Sequence, residues 1–472
     1  MPSRSPLHMR LNWRAWIGIV VGAVVLAAVA GFIYLIEPLR SATGFASRTL
    51  CSGVFVSGLN PDQVYAQTFK PLAENQGPLE WAIRYKIDKD LREVRASLGG
   101  VFERRAAFVP GLGCLLQSGN EPMMNRPAIR RDVQDRPATP VLPELGGARA
   151  VEPTDGRLRH ALDRTFAEFD KPPYRHTAAV VVIHDGHLVA ERYAPGYGVD
   201  TPILGWSVTK SFINALVGIL VRQGRLSVNG PAPVPQWQDI ADPRHAISID
   251  ILMRMTSGLD ILETNRGYDA VSRMLLIERD MAGFAERASL ESPPGKNWKY
   301  TSGNTLILSR IIRDAVGGHA NDVVDFAQRE LFGPLGMRSV TLEFDAVGTP
   351  IGSTYMYASA RDWARFGMLY LQDGVVGGRR ILPEGWVRYS SSQTLDSPYA
   401  AGFWRGTKAL RARWGMPEDA FFASGFLGQR VMVIPSERLV VARFGNAHGG
   451  SYDLEGFVGL VADVRQALTI PK

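Results

Sequence analysis

Ser207 and Lys210 stand three residues apart in Gly205-Trp206-Ser207-Val208-Thr209-Lys210, and no other serine of the chain precedes a lysine at that spacing. Ile213, Leu216, Val217 and Leu220 follow at helical intervals, so the run predicts an amphipathic, largely buried helix with Ser207 at or near its start. Positions three apart share a helix face. A serine hydroxyl is a poor nucleophile until a base takes its proton, and a lysine in a desolvated pocket is neutral enough to do so. Amides at the helix N-terminus would meet a developing oxyanion. A capping serine beside a solvated lysine is the ordinary reading of so short a pattern. Two stretches downstream, in the order such a site needs, weigh for chemistry.

The first is Pro293 to Asn304, where Tyr300 precedes a helix start and offers a phenolic oxygen as base or proton shuttle, with Lys210 expected to lower its pKa. The second is Ala423-Ser424-Gly425-Phe426, opening a strand. Small residues there let a substrate pair along the strand edge, with an amide aimed at the reacting oxygen. Taken singly, a packed loop tyrosine and a routine strand glycine explain these pieces as well.

Together, Ser-x-x-Lys, Tyr-x-Ser and a small-residue triplet on a late strand resemble the serine β-lactamase and DD-peptidase superfamily. The likeness extends to the class C-like serine hydrolases, among them the 6-aminohexanoate-dimer hydrolases and related esterases. It covers about residues 155–468 and includes Met255 to Leu259, Thr354 to Asp362 and Gly425 to Gln429. The resemblance implies an acylated nucleophile at Ser207, its base partner at Lys210 and a proton-relaying Tyr300. It implies an oxyanion hole from the amides of Ser207 and Phe426, with Ser424 and Gly425 beside the substrate. Two positions depart from the pattern: Ser302 stands where β-lactamases usually carry Asn, and Ala423 where they usually carry Lys or His. Both touch substrate recognition.

The elements that must position these residues begin far upstream. Arg4, Arg10 and Arg14 fall in residues 1–15, followed by about 21 almost wholly apolar residues, Trp16 to Ile36. That length suits a membrane span, and the basic flank predicts a cytoplasmic N-terminus with the rest extracytoplasmic, a single-pass protein of the inner membrane. A cleaved signal peptide is the competing expectation. Cys51 and Cys114, the two cysteines, are expected to form a disulfide, whose closed loop would add about 4 kcal/mol in the chain-entropy account. Residues 50–116 read as a small α+β lead module, with a strand at Ser52 to Gly58, and the proline-rich stretch 117–153 as a linker.

The hydrolase domain is expected over 154–472. It opens with a helix and a hairpin turning at Asp185-Gly186, continues through a helical insert, and closes with strands at Ala423 to Ile434 and Leu439 to Phe444 and a last helix. The fold class is therefore α+β: an antiparallel sheet flanked by helices, preceded by a transmembrane helix and the small module.

Composition limits the alternatives. Hydrophobic residues make up 46% and charged ones 21%, an ordinary balance for packed cores. The net charge of +7 comes from arginines spread along the chain, without the basic patches and interleaved aromatics of nucleic-acid binding. The eight histidines form no His-Glu-x-x-His or His/Cys cluster, so neither a metal nor an organic cofactor is expected. No Gly-x-Ser-x-Gly elbow occurs, which removes the α/β-hydrolases. A serine hydrolase acting on a small-molecule amide or ester leads. Behind it stand a penicillin-recognising sensor with little turnover and a true β-lactamase or DD-peptidase.

Overall fold

The computed structural model describes residues 13–69, 82–117, 145–264, 267–449 and 452–469. Most of the expected linker and of the N-terminal stretch 1–15 lies outside the described residues.

The first element among the described residues is one helix, α1 (Trp13–Phe55), which runs through Pro38 without ending. The membrane span expected over 16–36 is corrected here: among the described residues no helix is long and apolar enough to cross a membrane. The helix does not stop where the apolar run ends: it continues past Glu37 and Arg40 into Ser41 to Ser52, a half of mostly small and polar residues, most of them buried against protein. The strand expected at Ser52 to Gly58 is likewise absent. The helix carries Gly53, packed against Val64, through to Phe55, and the chain reverses at Gly58, whose φ of 69° suits glycine.

Four antiparallel strands in sequential order pack on that half of α1: β1 (Ile83–Asp88), β2 (Glu93–Leu98), β3 (Val101–Val109) and β4 (Gly113–Gln117). Cys51 and Cys114 are bonded, tying α1 to β4.

The larger sheet has the order β12 (Phe421–Ser424), β13 (Arg430–Ile434), β14 (Leu439–Gly445), β5 (Thr177–His184), β6 (His187–Tyr193), so its N-terminal hairpin joins C-terminal strands. The hairpin is β5 and β6, and its turn residues Asp185 and Gly186 both have positive φ, as a two-residue hairpin requires. Every residue of β5 before His184 is buried, because helices cover both faces. On one face lie α2 (Gly156–Phe166) and the last helix, α6 (Leu454–Thr469), with Leu158, Leu162, Leu460 and Val464 against Val180 and Val182. On the other, Ala179, Val181 and Ile183 join the main core, with α3 (Thr209–Arg222), α4 (Ser302–Val316) and α5 (Ala360–Leu371).

Three short strands form a separate sheet, β7 (Ile203–Leu204), β8 (Thr341–Leu342) and β9 (Met356–Ala358), ordered β7-β9-β8. A small hairpin, β10 (Val375–Val376) and β11 (Arg379–Arg380), follows α5. The strand expected from Ala423 to Ile434 is two strands. Leu427 at φ 57° and Gly428 at φ 89° turn the chain between them, and Phe426 sits in that turn.

Candidate active site

Ser207 lies in a 3-10 turn, Trp206–Val208, between β7 and α3. Trp206 holds φ at 48°, a region an aromatic residue rarely adopts, so surrounding contacts must impose it. Its ring meets Phe426 at 5.2 Å, Tyr355 at 6.1 Å and Phe45 of α1 at 6.2 Å between centroids. The first turn of α3 then carries Lys210 onto the same face.

Lys210 is buried, and its Nζ donates to Ser207 Oγ at 3.0 Å, Ser302 Oγ at 3.1 Å and the Ser353 carbonyl at 2.9 Å. Burial pulls its pKa down to about 8, while the carboxylate of Glu263 acts in the opposite direction. A lysine so placed exchanges a proton near neutrality.

Tyr300 precedes α4 and turns its ring face towards Lys210, with Nζ 4.9 Å from the centroid. The sequence led us to expect Lys210 to lower this phenol's pKa. Instead it stands well above the ordinary value, through burial first and then Glu263 and Tyr399, with a hydrogen bond from Ser207 acting the other way. Tyr300 therefore rests as the phenol, not as a resident phenolate. Its ring packs on Trp404 at 5.4 Å and Tyr399 at 5.8 Å, forming an aromatic wall beside the serine.

Glu263 was not singled out from sequence. The residue keeps some exposure, but its carboxylate is turned inward, where burial raises its pKa and Lys210 counteracts that. It accepts from the Ser302 amide at 2.5 Å and from Ser302 Oγ at 3.2 Å. Ser302, the departure from Asn, thus bridges Lys210 and Glu263. A lone acid in a loop has no spacing signal that would have marked it.

The triplet reaches the nucleophile from the opposite side. Ala423 is buried and Ser424 partly exposed, paired with Arg430 across β12 and β13. A Cβ on Gly425 would stand 2.3 Å from the Gly205 carbonyl and 3.1 Å from Trp206 Cβ. The strand end therefore touches the loop that carries Ser207, and Phe426 follows directly. Arg430 is buried and donates to the carbonyls of Gly425 and Gln429 at 2.7 and 2.8 Å, bracing that turn. His448 approaches the Gln67 carbonyl through Nε2 at 2.9 Å, a contact with the lead module. Ser207, Lys210, Tyr300, Gly425 and Phe426 are thus gathered in one place, while the Cys51–Cys114 disulfide ties α1 to β4.

Residues 162–458 match the family described as Beta-lactamase. The chain belongs to the β-lactamase family. It is 26% identical over 293 residues to a 6-aminohexanoate-dimer hydrolase of Paenarthrobacter ureafaciens, covering 57% of this chain and 72% of that protein. A putative 6-aminohexanoate-dimer hydrolase from Bacillus anthracis shares the fold at TM-score 0.56 and 22% identity, over 71% of this chain and 90% of the other. A family VIII carboxylesterase does so at TM-score 0.54 and 16% identity, over 69% of this chain and all of the other, 100%. This β-lactamase-family chain is a serine hydrolase, with an α+β fold of that family.

Proposed function

We propose that the protein cleaves small linear amides or esters through an acyl-enzyme on Ser207. The observation that carries this reading is the contact of Ser207 Oγ with a buried Lys210 whose pKa lies near 8. As the free amine, Lys210 takes the serine proton while Oγ attacks the carbonyl carbon. The amides of Ser207 and Phe426 receive the oxyanion, since Gly425 brings their two loops into contact. Tyr300 donates its proton to the leaving group, and water then releases the acyl group. The Cys51–Cys114 disulfide supports a place of work in an oxidising compartment.

The triplet argues against β-lactams as the preferred substrates. Ala423 offers neither charge nor hydrogen bond to a ring carboxylate, and the Arg430 guanidinium is already held by backbone carbonyls. A charge-assisted hydrogen bond is worth about 1.5–3 kcal/mol, so its loss costs on the order of 10- to 100-fold in specificity. Two measurements test the proposal. Ser207→Ala should abolish labelling by a fluorophosphonate; persistent labelling would move the nucleophile elsewhere. On the intact enzyme, kcat/KM for p-nitrophenyl butyrate should exceed that for nitrocefin, and the reverse order would overturn the substrate class.

A further inference from the structure

Lys210 must lose a proton before it can take one from Ser207, yet it is the donor in its hydrogen bonds to Ser207, Ser302 and Ser353. One of those acceptors, Ser302 Oγ, itself donates to Glu263 Oε1 at 3.2 Å, and the Ser302 amide fixes the same carboxylate at 2.5 Å. A continuous path therefore runs from nucleophile to lysine to serine to carboxylate.

We propose that Glu263 is a positioning residue that stores the Lys210 proton, delivered through the Ser302 hydroxyl. This rests on Lys210 being the base for Ser207. In the step, the Lys210 ammonium gives a proton to Ser302 Oγ as Ser302 gives its own hydroxyl proton to Glu263. An ammonium–carboxylate pair becomes an amine and a carboxylic acid; no proton enters or leaves the site. The neutral amine then accepts the Ser207 proton during attack. Four ionisable groups act on the carboxylate or feel it: Lys210, Asp269, Tyr300 and Tyr399. The two tyrosines stay protonated, and Asp269 raises the pKa of Glu263, which helps it receive the proton.

The pair gives a specific pH signature. With Glu263 present, the acid limb of kcat/KM reports uptake of an extra proton by an ionised pair, which lies below the titration of a lone lysine. Glu263→Gln removes the store, so Lys210 must discharge its proton to solvent. The acid limb then moves to higher pH, activity falls about tenfold per pH unit below it, and activity recovers at alkaline pH. Glu263→Asp, which keeps a carboxylate, should retain part of the low-pH activity. The measurement is kcat/KM for p-nitrophenyl butyrate from pH 5 to 10, with fluorophosphonate labelling at alkaline pH as the check on folding. An equal loss at every pH would make Glu263 purely structural and overturn the proposal, as would an unmoved limb or one that moves to lower pH, the direction that losing the charge which holds the Lys210 pKa up gives by itself. If Glu263→Gln does not fold, a loss in Glu263→Asp that is equal at every pH would overturn it too. Failure of Ser207→Ala to stop labelling is a different result and would remove the underlying reading instead.

Discussion

At the scale of the residue, the protonation of Tyr300 decides what it can do. Burial, Glu263 and Tyr399 together hold it as a phenol, so in the proposed reaction its part is that of a donor. Tyr300→Phe should then cost on the order of 10² in turnover. The loss should be the same at pH 7 and pH 9, because the phenol does not ionise in that range. A ratio of wild-type to variant rates that climbs with pH would show a phenolate at work. The sequence made Ser207 and Lys210 legible because three-residue spacing on a helix needs no tertiary information. Tyr300 was legible as a residue but not in its ionisation, which depends on a carboxylate from a distant loop. Glu263 and Ser353 were not legible at all, since only the fold brings them to Lys210.

At the scale of the element, two loops meet at a distance that leaves no room for a side chain. Gly425, at the end of β12, faces the Gly205 carbonyl, and Gly205 faces the Trp363 ring, which a Cβ would approach to 2.4 Å. Gly425→Ala should therefore force the strand end away from the Ser207 turn. Overpacking of this kind costs about 1–3 kcal/mol. The rate of fluorophosphonate labelling should fall with it, because the Phe426 amide moves with the strand end. Gly147→Ala, where a Cβ meets nothing within 4 Å, is the control and should leave both thermal stability and labelling unchanged. If Gly425→Ala lowers stability but labels at the wild-type rate, the strand end does not serve the nucleophile. The turn after Gly425 was hidden in the sequence because Phe421 to Ile434 is almost continuously apolar or small. Backbone handedness at Leu427 and Gly428, not residue type, breaks the strand. The β5–β6 hairpin was legible because Asp-Gly carries its own turn conformation.

At the scale of the whole molecule, the lead module and the hydrolase share a buried ion pair. Arg48 of α1 meets Glu343 at 3.2 Å, with side chains 1% and 0% exposed. Glu343 also accepts from Ser52 Oγ at 2.6 Å and from the Cys114 amide at 3.0 Å, while Arg48 lies over the Tyr355 ring at 4.5 Å. Tyr355 in turn flanks Trp206, so this junction backs the wall behind the nucleophile. Nothing in the sequence pairs residues so far apart, and the apolar run before them drew attention to a membrane instead. Removing one partner of a buried pair leaves the other charge uncompensated, at a cost of about 3–5 kcal/mol. Arg48→Met should lose that much, and the loss should depend on pH. Burial already raises the pKa of Glu343, and Arg48 is the largest influence holding it down. Without Arg48 the folded-state value rises further above the unfolded value of about 4.3. A carboxylate whose folded pKa is raised carries no penalty when both states are protonated; the penalty grows as pH climbs from the unfolded value through the folded one. The Tm gap between wild type and Arg48→Met should therefore be wider at pH 8 than at pH 5. Arg48→Met/Glu343→Leu should remove this pH dependence yet remain below wild type, because Ser52 and the Cys114 amide lose their acceptor at about 1–3 kcal/mol each. A gap equal at both pH values would mean that Glu343 finds another partner when Arg48 is gone.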